Sequence, residues 1–131
     1  MGAMSFLLDT HAILWWLFDD RRLSRRARST ISNPENRIVV SSASAWEIGA
    51  KNRLGRLDSA TPLVRDSSGW MNRAGFTQLS ISSEHAIRAG AWEVAHGDPF
   101  DRMLAAQSRA EGLRLISADS AFEEFGLEPL W

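Results

Sequence analysis

The sequence predicts an α/β domain built on a mainly parallel sheet with helices on both faces. Short apolar runs that read as buried strands alternate along the chain with capped, helix-periodic stretches, the pattern of βα units. The length, 131 residues, suits one domain with a single filled core. No repeat, linker or low-complexity segment divides it, so residues 5–131 read as one domain. Residues 1–3, ahead of Met4, read as a cloning remnant outside the fold.

The elements follow in order. SFLL (5–8) is an apolar run that ends abruptly at Asp9, a buried strand, and HAILWWLF (11–18) continues as a buried helix. Ser24 caps a second helix over 23–32 with a basic outer face. After the NPEN turn, RIVVSS (37–42) is a β-branched strand. Ser42 or Ser44 caps the next helix, with Ala43, Trp46, Ala50, Leu54 and Leu57 at helical spacing and Trp46 in the core. Residues 61–75 read as a helix with Pro62 at its first position, a weak middle at Ser67–Ser68–Gly69, and a stop at Gly75. A strand over 76–81, a capped helix over 82–91, a helix from Pro99 to near Gly112 and a strand over 113–118 follow. DSAFEEF reads as a short helix and LEPLW as a terminal strand or extension.

Composition narrows the function. The chain is 44% hydrophobic and 24% charged, which marks a globular protein. A net charge of −1 gives no bulk attraction to nucleic acid or anionic membrane, so a nucleic-acid partner would be met by a local basic patch. The absence of cysteine excludes disulfides, zinc–thiolate sites and thiol nucleophiles, and fits cytoplasmic residence. No apolar run approaches the roughly 18 residues of a membrane span, and the N-terminus does not read as a signal peptide.

Acidic residues mark the strand ends. Asp9 directly follows the first strand, and Glu47 lies in the first turns of the helix after the second. Asp101 opens the helix that feeds the last strand, and Asp119 follows that strand. In a parallel sheet the carboxyl ends of all strands face one way, where ligands collect, so these four acids are expected to converge. Crowded carboxylates repel unless a cation neutralises them, and an all-oxygen cluster suits Mg²⁺ or Mn²⁺. The chemistry implied is phosphodiester hydrolysis. A lone acid after a strand is more often a helix cap or turn former; the convergence of four at one sheet edge is what favours the chemical reading. Asp98, before Pro99, is the expected N-cap of its helix, whereas Asp101 shares a stripe with Leu104, Ala105 and Ser108 that turns toward the sheet. Arg21, Arg22, Arg25, Arg26 and Arg28 form either a solvated face or a phosphate track, and His11 and His96 flank acidic positions as phosphate ligands or structural residues.

LLDTHAILWW, SSASAWEIGAKNRLGRL, HGDPFDRMLAAQSRAEGLRLISAD and LEPLW together resemble PIN-domain toxins of the VapC type, in motif order and spacing across almost the whole chain. The resemblance implies a three-layer α/β/α sandwich and a Mg²⁺-dependent endoribonuclease, the toxin of a type II toxin–antitoxin pair. It also implies a cognate antitoxin, here expected on an apolar groove near the first two helices, and a homodimer. Asp9, Glu47, Asp101 and Asp119 match the family's metal-binding acidic quartet, with Mn²⁺ as the alternative ion. Thr10, Arg102 and Ser117 fall where polar groups support the site or the RNA substrate; Ser117 stands where threonine is commoner. A phosphoryl-accepting Asp9 of the haloacid-dehalogenase kind would need a second acid where His11 stands, and a receiver domain would need paired acids and a late lysine. Lys51 is the chain's sole lysine, so both fit poorly. A non-catalytic PIN scaffold or protein-binding module is the better rival, against which the presence of all four acids argues.

Overall fold

The computed structural model describes residues 4–131; the reading of residues 1–3 lies outside the described residues. Strands β1 (Ser5–Leu8), β2 (Arg37–Ser41), β3 (Thr77–Leu79) and β4 (Arg114–Ile116) form one sheet in the order β3-β2-β1-β4. Every pairing is parallel; Leu7 sits in register with Val39 on one side and Leu115 on the other. The chain steps from β1 outward to β2 and β3, then crosses back to place β4 on the far side of β1. The join between β1 and β4 is therefore the point where strand order reverses, the place at the strand ends where ligands generally bind in open α/β sheets.

Alternation along the strands builds two cores. Phe6, Leu8, Ile38 and Val40 face one layer, with Ala12, Ile13 and Leu14 of α1 (Thr10–Leu17) and Ala27 and Ile31 of α2 (Arg25–Ser32). Leu7, Val39 and Leu115 face the other, against Leu104 and Ala105 of α7 (Pro99–Glu111) and against Phe122 and Phe125. A sheet covered on both faces is the three-layer sandwich expected.

Most predicted elements appear, shortened at their ends. Two corrections concern the middle of the chain. Helix α3 (Ser42–Arg53) is capped by Ser41, not Ser42 or Ser44, through a hydrogen bond from Ala43 N to Ser41 Oγ at 3.0 Å. It buries Ala43, Ser44, Glu47 and Ile48, and Trp46 is 64% exposed rather than in the core. The indole instead meets the Phe100 ring edge-on, with centroids 4.9 Å apart. The stretch 61–75 is two helices, α4 (Thr61–Arg65) and α5 (Ser67–Ala74). Asp66 leaves helical geometry between them and accepts from Gly69 N at 3.2 Å, so the second helix starts from its own cap. Gly75 then ends α5 at φ 75°, a conformation that favours glycine.

Helix α6 (Ser83–Ala91) is capped by Ser82, and Ser120–Phe125 form a 3₁₀ helix. The 127–131 tail contributes a single parallel bridge, Leu130 to Ile116, at the β4 edge. Among the described residues no helix is long and apolar enough to cross a membrane.

Candidate functional site

The site grows from the end of β1. The strand stops at Leu8, and Asp9 takes an extended conformation as the N-cap of α1, with Oδ1 accepting from Ala12 N at 2.8 Å. Its other oxygen, Oδ2, accepts from the Ser117 hydroxyl at 2.5 Å, across the join to the neighbouring strand. Ser117 Oγ in turn accepts from Asp119 N at 3.0 Å. One buried hydroxyl thus ties the residues that end β1 and β4. Thr10, the next residue, donates to Glu47 Oε1 at 2.6 Å and lies 3.0 Å from Ser44 Oγ. Glu47 is drawn in from α3 by this bond, and its Oε2 accepts from Lys51 Nζ at 2.6 Å.

From the opposite layer, α7 delivers Asp101. Asp98 is its N-cap, accepting from Phe100 N at 2.9 Å and Asp101 N at 3.1 Å. Asp101 lies on the stripe of Leu104, Ala105 and Ser108, all buried. Its Oδ2 accepts from His96 Nε2 at 2.8 Å.

The acids feel one another. Burial pushes the Asp9 carboxyl above its ordinary value, against hydrogen bonds from Ser117 and Ala12; the charge of Asp101 adds to the rise. Asp101 is also raised, first by burial and further by Asp98 and Asp119, while the His96 bond opposes. His96 is raised above the usual histidine value, chiefly by its hydrogen bond to Asp101. Asp101 is thus near enough to Asp9 to raise it and is itself raised by Asp119, whereas Glu47 is linked to these acids only through Thr10, which follows Asp9 in the chain. As the side chains stand they turn to protein partners, and among the described residues no three carboxylate or imidazole groups are gathered closely enough to hold a metal. Asp9 and Asp119 also act as caps, the latter accepting from Ala121 N at 2.9 Å.

Arg102 does not reach toward this cluster. Its Nε donates to Ala89 O at 2.8 Å, and Nη1 to Val94 O at 2.7 Å and His96 O at 2.8 Å. Nη2 donates to Trp92 O. Four of its five N–H groups are thereby spent clasping the 89–96 segment, so the support it gives the site is to fix the loop carrying His96. One N–H of the guanidinium remains for any other partner. The arginine cluster lies past the far end of α1, on the order of 12 Å of helix from Asp9. Arg22 and Arg28 pair with Asp20 and Asp19, each at 2.8 Å, whereas Arg21, Arg25 and Arg26 are exposed. His11 is exposed and stacks on Trp15, with centroids 5.4 Å apart.

Sequence reasoning missed Lys51 and Ser44 as neighbours of the site. The four-residue spacing from Glu47 to Lys51 was the available signal for the first; Ser44 gave none, because its role depends on how α3 packs against α1.

The sequence matches the family model for the PIN domain over residues 6–127. It is 26% identical over 116 residues to Ribonuclease VapC22 of Mycobacterium tuberculosis, covering 86% of this chain and 85% of that protein. Ribonuclease VapC16 of the same organism is 36% identical over 64 residues, which span 49% of this chain and 45% of the relative. Among solved structures, VapBC2 from Rickettsia felis bound to a promoter DNA fragment aligns with a TM-score of 0.65 at 15% identity, covering 96% of this chain and 98% of that one. A toxin–antitoxin complex from Klebsiella pneumoniae aligns with a TM-score of 0.63 at 20% identity, covering 88% and 87%.

Proposed function

The chain belongs to the PIN-domain family, and from that premise we propose that it is a Mg²⁺-dependent endoribonuclease, the toxin of a type II toxin–antitoxin pair. The observation that carries the reading is the Asp9 carboxylate, buried where strand order reverses and close enough to Asp101 to be pushed up by it. The names of the relatives support the substrate class: VapC22 and VapC16 are ribonucleases. A purely scaffolding protein has no use for a buried carboxyl raised further by the charge of a neighbouring acid.

Chemically the donor set suits a hard divalent cation, which the carboxylates would turn from their present partners to share. Asp9, Glu47, Asp101 and Asp119 offer only oxygens, and two of them carry the burial and repulsion that a cation relieves. These four would hold Mg²⁺, or Mn²⁺ in its place. When bound, the ion supplies charge stabilisation at a phosphoryl oxygen and a water of lowered pKa. The chain's own residues do the rest. Ser117 and Ala12 N fix the Asp9 carboxylate, Thr10 orients Glu47, and His96, clasped by Arg102, steadies Asp101. Exposed Arg21, Arg25 and Arg26 would meet RNA phosphates away from the reacting bond.

The partners follow the same reading. A groove of about 380 Å³ between α1, α2 and α5, lined by Trp16, Leu17, Trp70 and Ala74 with Arg28 and Arg73 at its edge, suits an apolar segment of a cognate antitoxin. The exposed Trp46 and Ile87 suit a homodimer contact. The setting is cytoplasmic. Incubating the purified chain with RNA, with and without Mg²⁺, tests the activity. Cleavage that needs the ion and disappears in Asp9→Asn is expected; cleavage that survives both changes would overturn the site.

A further inference from the structure

We propose that Lys51 is the resident counter-ion of the acidic site: its ammonium neutralises Glu47 in the metal-free protein and thereby sets how tightly the site takes a divalent cation. This rests on the reading of the four acids as a metal site.

The geometry is specific. Glu47 is only 7% exposed, and both its oxygens are taken, Oε1 by the Thr10 hydroxyl and Oε2 by Lys51 Nζ, each at 2.6 Å. The only formal cation within salt-bridge distance of this carboxylate, among the described residues, is Lys51. A buried carboxylate without such a partner is costly, and one hydroxyl does not replace a charge. Glutamate four residues ahead of lysine on a helix is also the favoured order of the pair.

The choice of residue carries a second message. The chain has 15 basic residues, of which Lys51 alone is lysine. An ammonium is a compact, strongly hydrated point charge on a flexible stem, whereas guanidinium is a planar fork. The Lys51 side chain is 39% exposed against 9% for that of Glu47. The ammonium can swing into water and leave its oxygen free, while the carboxylate stays in place. Lys51 is thus a positioning residue with a competing charge. It makes the metal-free fold tolerable and weakens the cation's hold.

Two substitutions separate this from a surface ion pair. Lys51→Met removes the charge and keeps much of the stem; Lys51→Arg keeps the charge. In metal-free buffer Lys51→Met is expected to melt several degrees below the parent, with Lys51→Arg restoring most of the loss. In Mn²⁺ titrations followed by the electron spin resonance of the free ion, Lys51→Met is expected to bind on the order of tenfold more tightly than the parent, because one positive charge has left the site. Lys51→Arg is expected to bind no more tightly than the parent, because the charge stays and the planar fork lets go of the carboxylate less readily. Should Lys51→Met fail to fold without metal, the Glu47→Gln/Lys51→Met pair decides: it should fold and melt like Glu47→Gln alone, since the charge needing a partner is gone. Strictly additive losses in that pair would overturn the proposal. So would unchanged Mn²⁺ affinity in Lys51→Met, or weaker binding rescued by arginine, which would make Lys51 an aid to the metal and not its competitor. A parent chain that binds no Mn²⁺ overturns the metal site and this proposal with it; a parent that binds Mn²⁺ while indifferent to Lys51 overturns this proposal alone.

Discussion

Replacing Ser117 with alanine removes one hydroxyl that serves two partners, donating to Asp9 Oδ2 at 2.5 Å and accepting from Asp119 N at 3.0 Å. A hydrogen bond to a charged group contributes about 1.5–3 kcal/mol and an ordinary one about 0.5–1.5 kcal/mol. The expected loss at neutral pH is therefore roughly 2–4 kcal/mol, or on the order of 6–15 °C in Tm for a domain of this size. The loss should depend on pH, and its direction follows from Asp9. Burial raises that carboxyl in the folded protein and the Ser117 bond pulls it down, so the alanine variant raises it further. The folded state then holds a proton that the unfolded chain has released, and stability falls as pH climbs from the ordinary carboxylate value to the folded one. In the variant that fall continues to a higher pH. Thermal melts of metal-free parent and variant, from acid to neutral pH, should show a gap that is small in acid and widens to its full size above the variant's folded pKa. A gap that is constant across the range, or widest in acid, would refute the role assigned to the hydroxyl.

Three further outcomes are expected. Asp98→Ser keeps a cap on α7, so it should cost about 1 kcal/mol or less and retain most cleavage, whereas Asp101→Asn should keep the fold and lose cleavage; parallel assays on one RNA would expose reversed roles. Arg102→Met should cost at least about 3 kcal/mol, because carbonyls of residues 89–96 lose their donors; urea melts measure it, and an unchanged midpoint would mean that the clasp is idle. In metal-free protein, the His96 ring should titrate above the usual histidine range and return toward it in Asp101→Asn, since the Asp101 bond is the chief cause of its shift; proton resonances followed against pH test this.

Local chemistry and packing agree at some positions of this chain and part company at others. The cap at Asp98 was legible because Pro99 fixes the start of the helix, and the inward turn of Asp101 followed from its spacing to Leu104, Ala105 and Ser108. Strand order was not legible, yet the parallel alternation alone placed Asp9 and Asp119 at one edge. Trp46 was misread because a helix whose cap shifts to Ser41 and which buries Ser44 and Glu47 presents a different face from the one its apolar residues suggest. The buried pair of Ser44 and Glu47 meets Thr10, a partner 34 to 37 residues away that local spacing does not reveal. The break at Asp66 is foreshadowed by the weak Ser67–Ser68–Gly69 middle, but its cause is a side chain that leaves one helix to cap the next, which composition does not announce. Arg102 was beyond reach for a similar reason: nothing in its neighbours announces that four carbonyls will converge on it.

The 127–131 tail gives the site a remote handle. Leu130 O accepts from Ser117 N at 3.1 Å and Leu130 N donates to Leu115 O at 2.9 Å, while on the other side Ile116 O accepts from Asp9 N at 3.1 Å. The Trp131 ring, one residue on, rests edge-on against Trp15 of α1, with centroids 5.7 Å apart. Ser117, whose hydroxyl holds Asp9, is thus gripped from behind by a segment that, among the described residues, makes no hydrogen bond to Asp9, Glu47, Asp101 or Asp119. A tag, fusion or truncation applied there would pull on the backbone that aims this hydroxyl, so an altered cleavage rate in such a protein would report slack in the strand edge and not damage to the carboxylates.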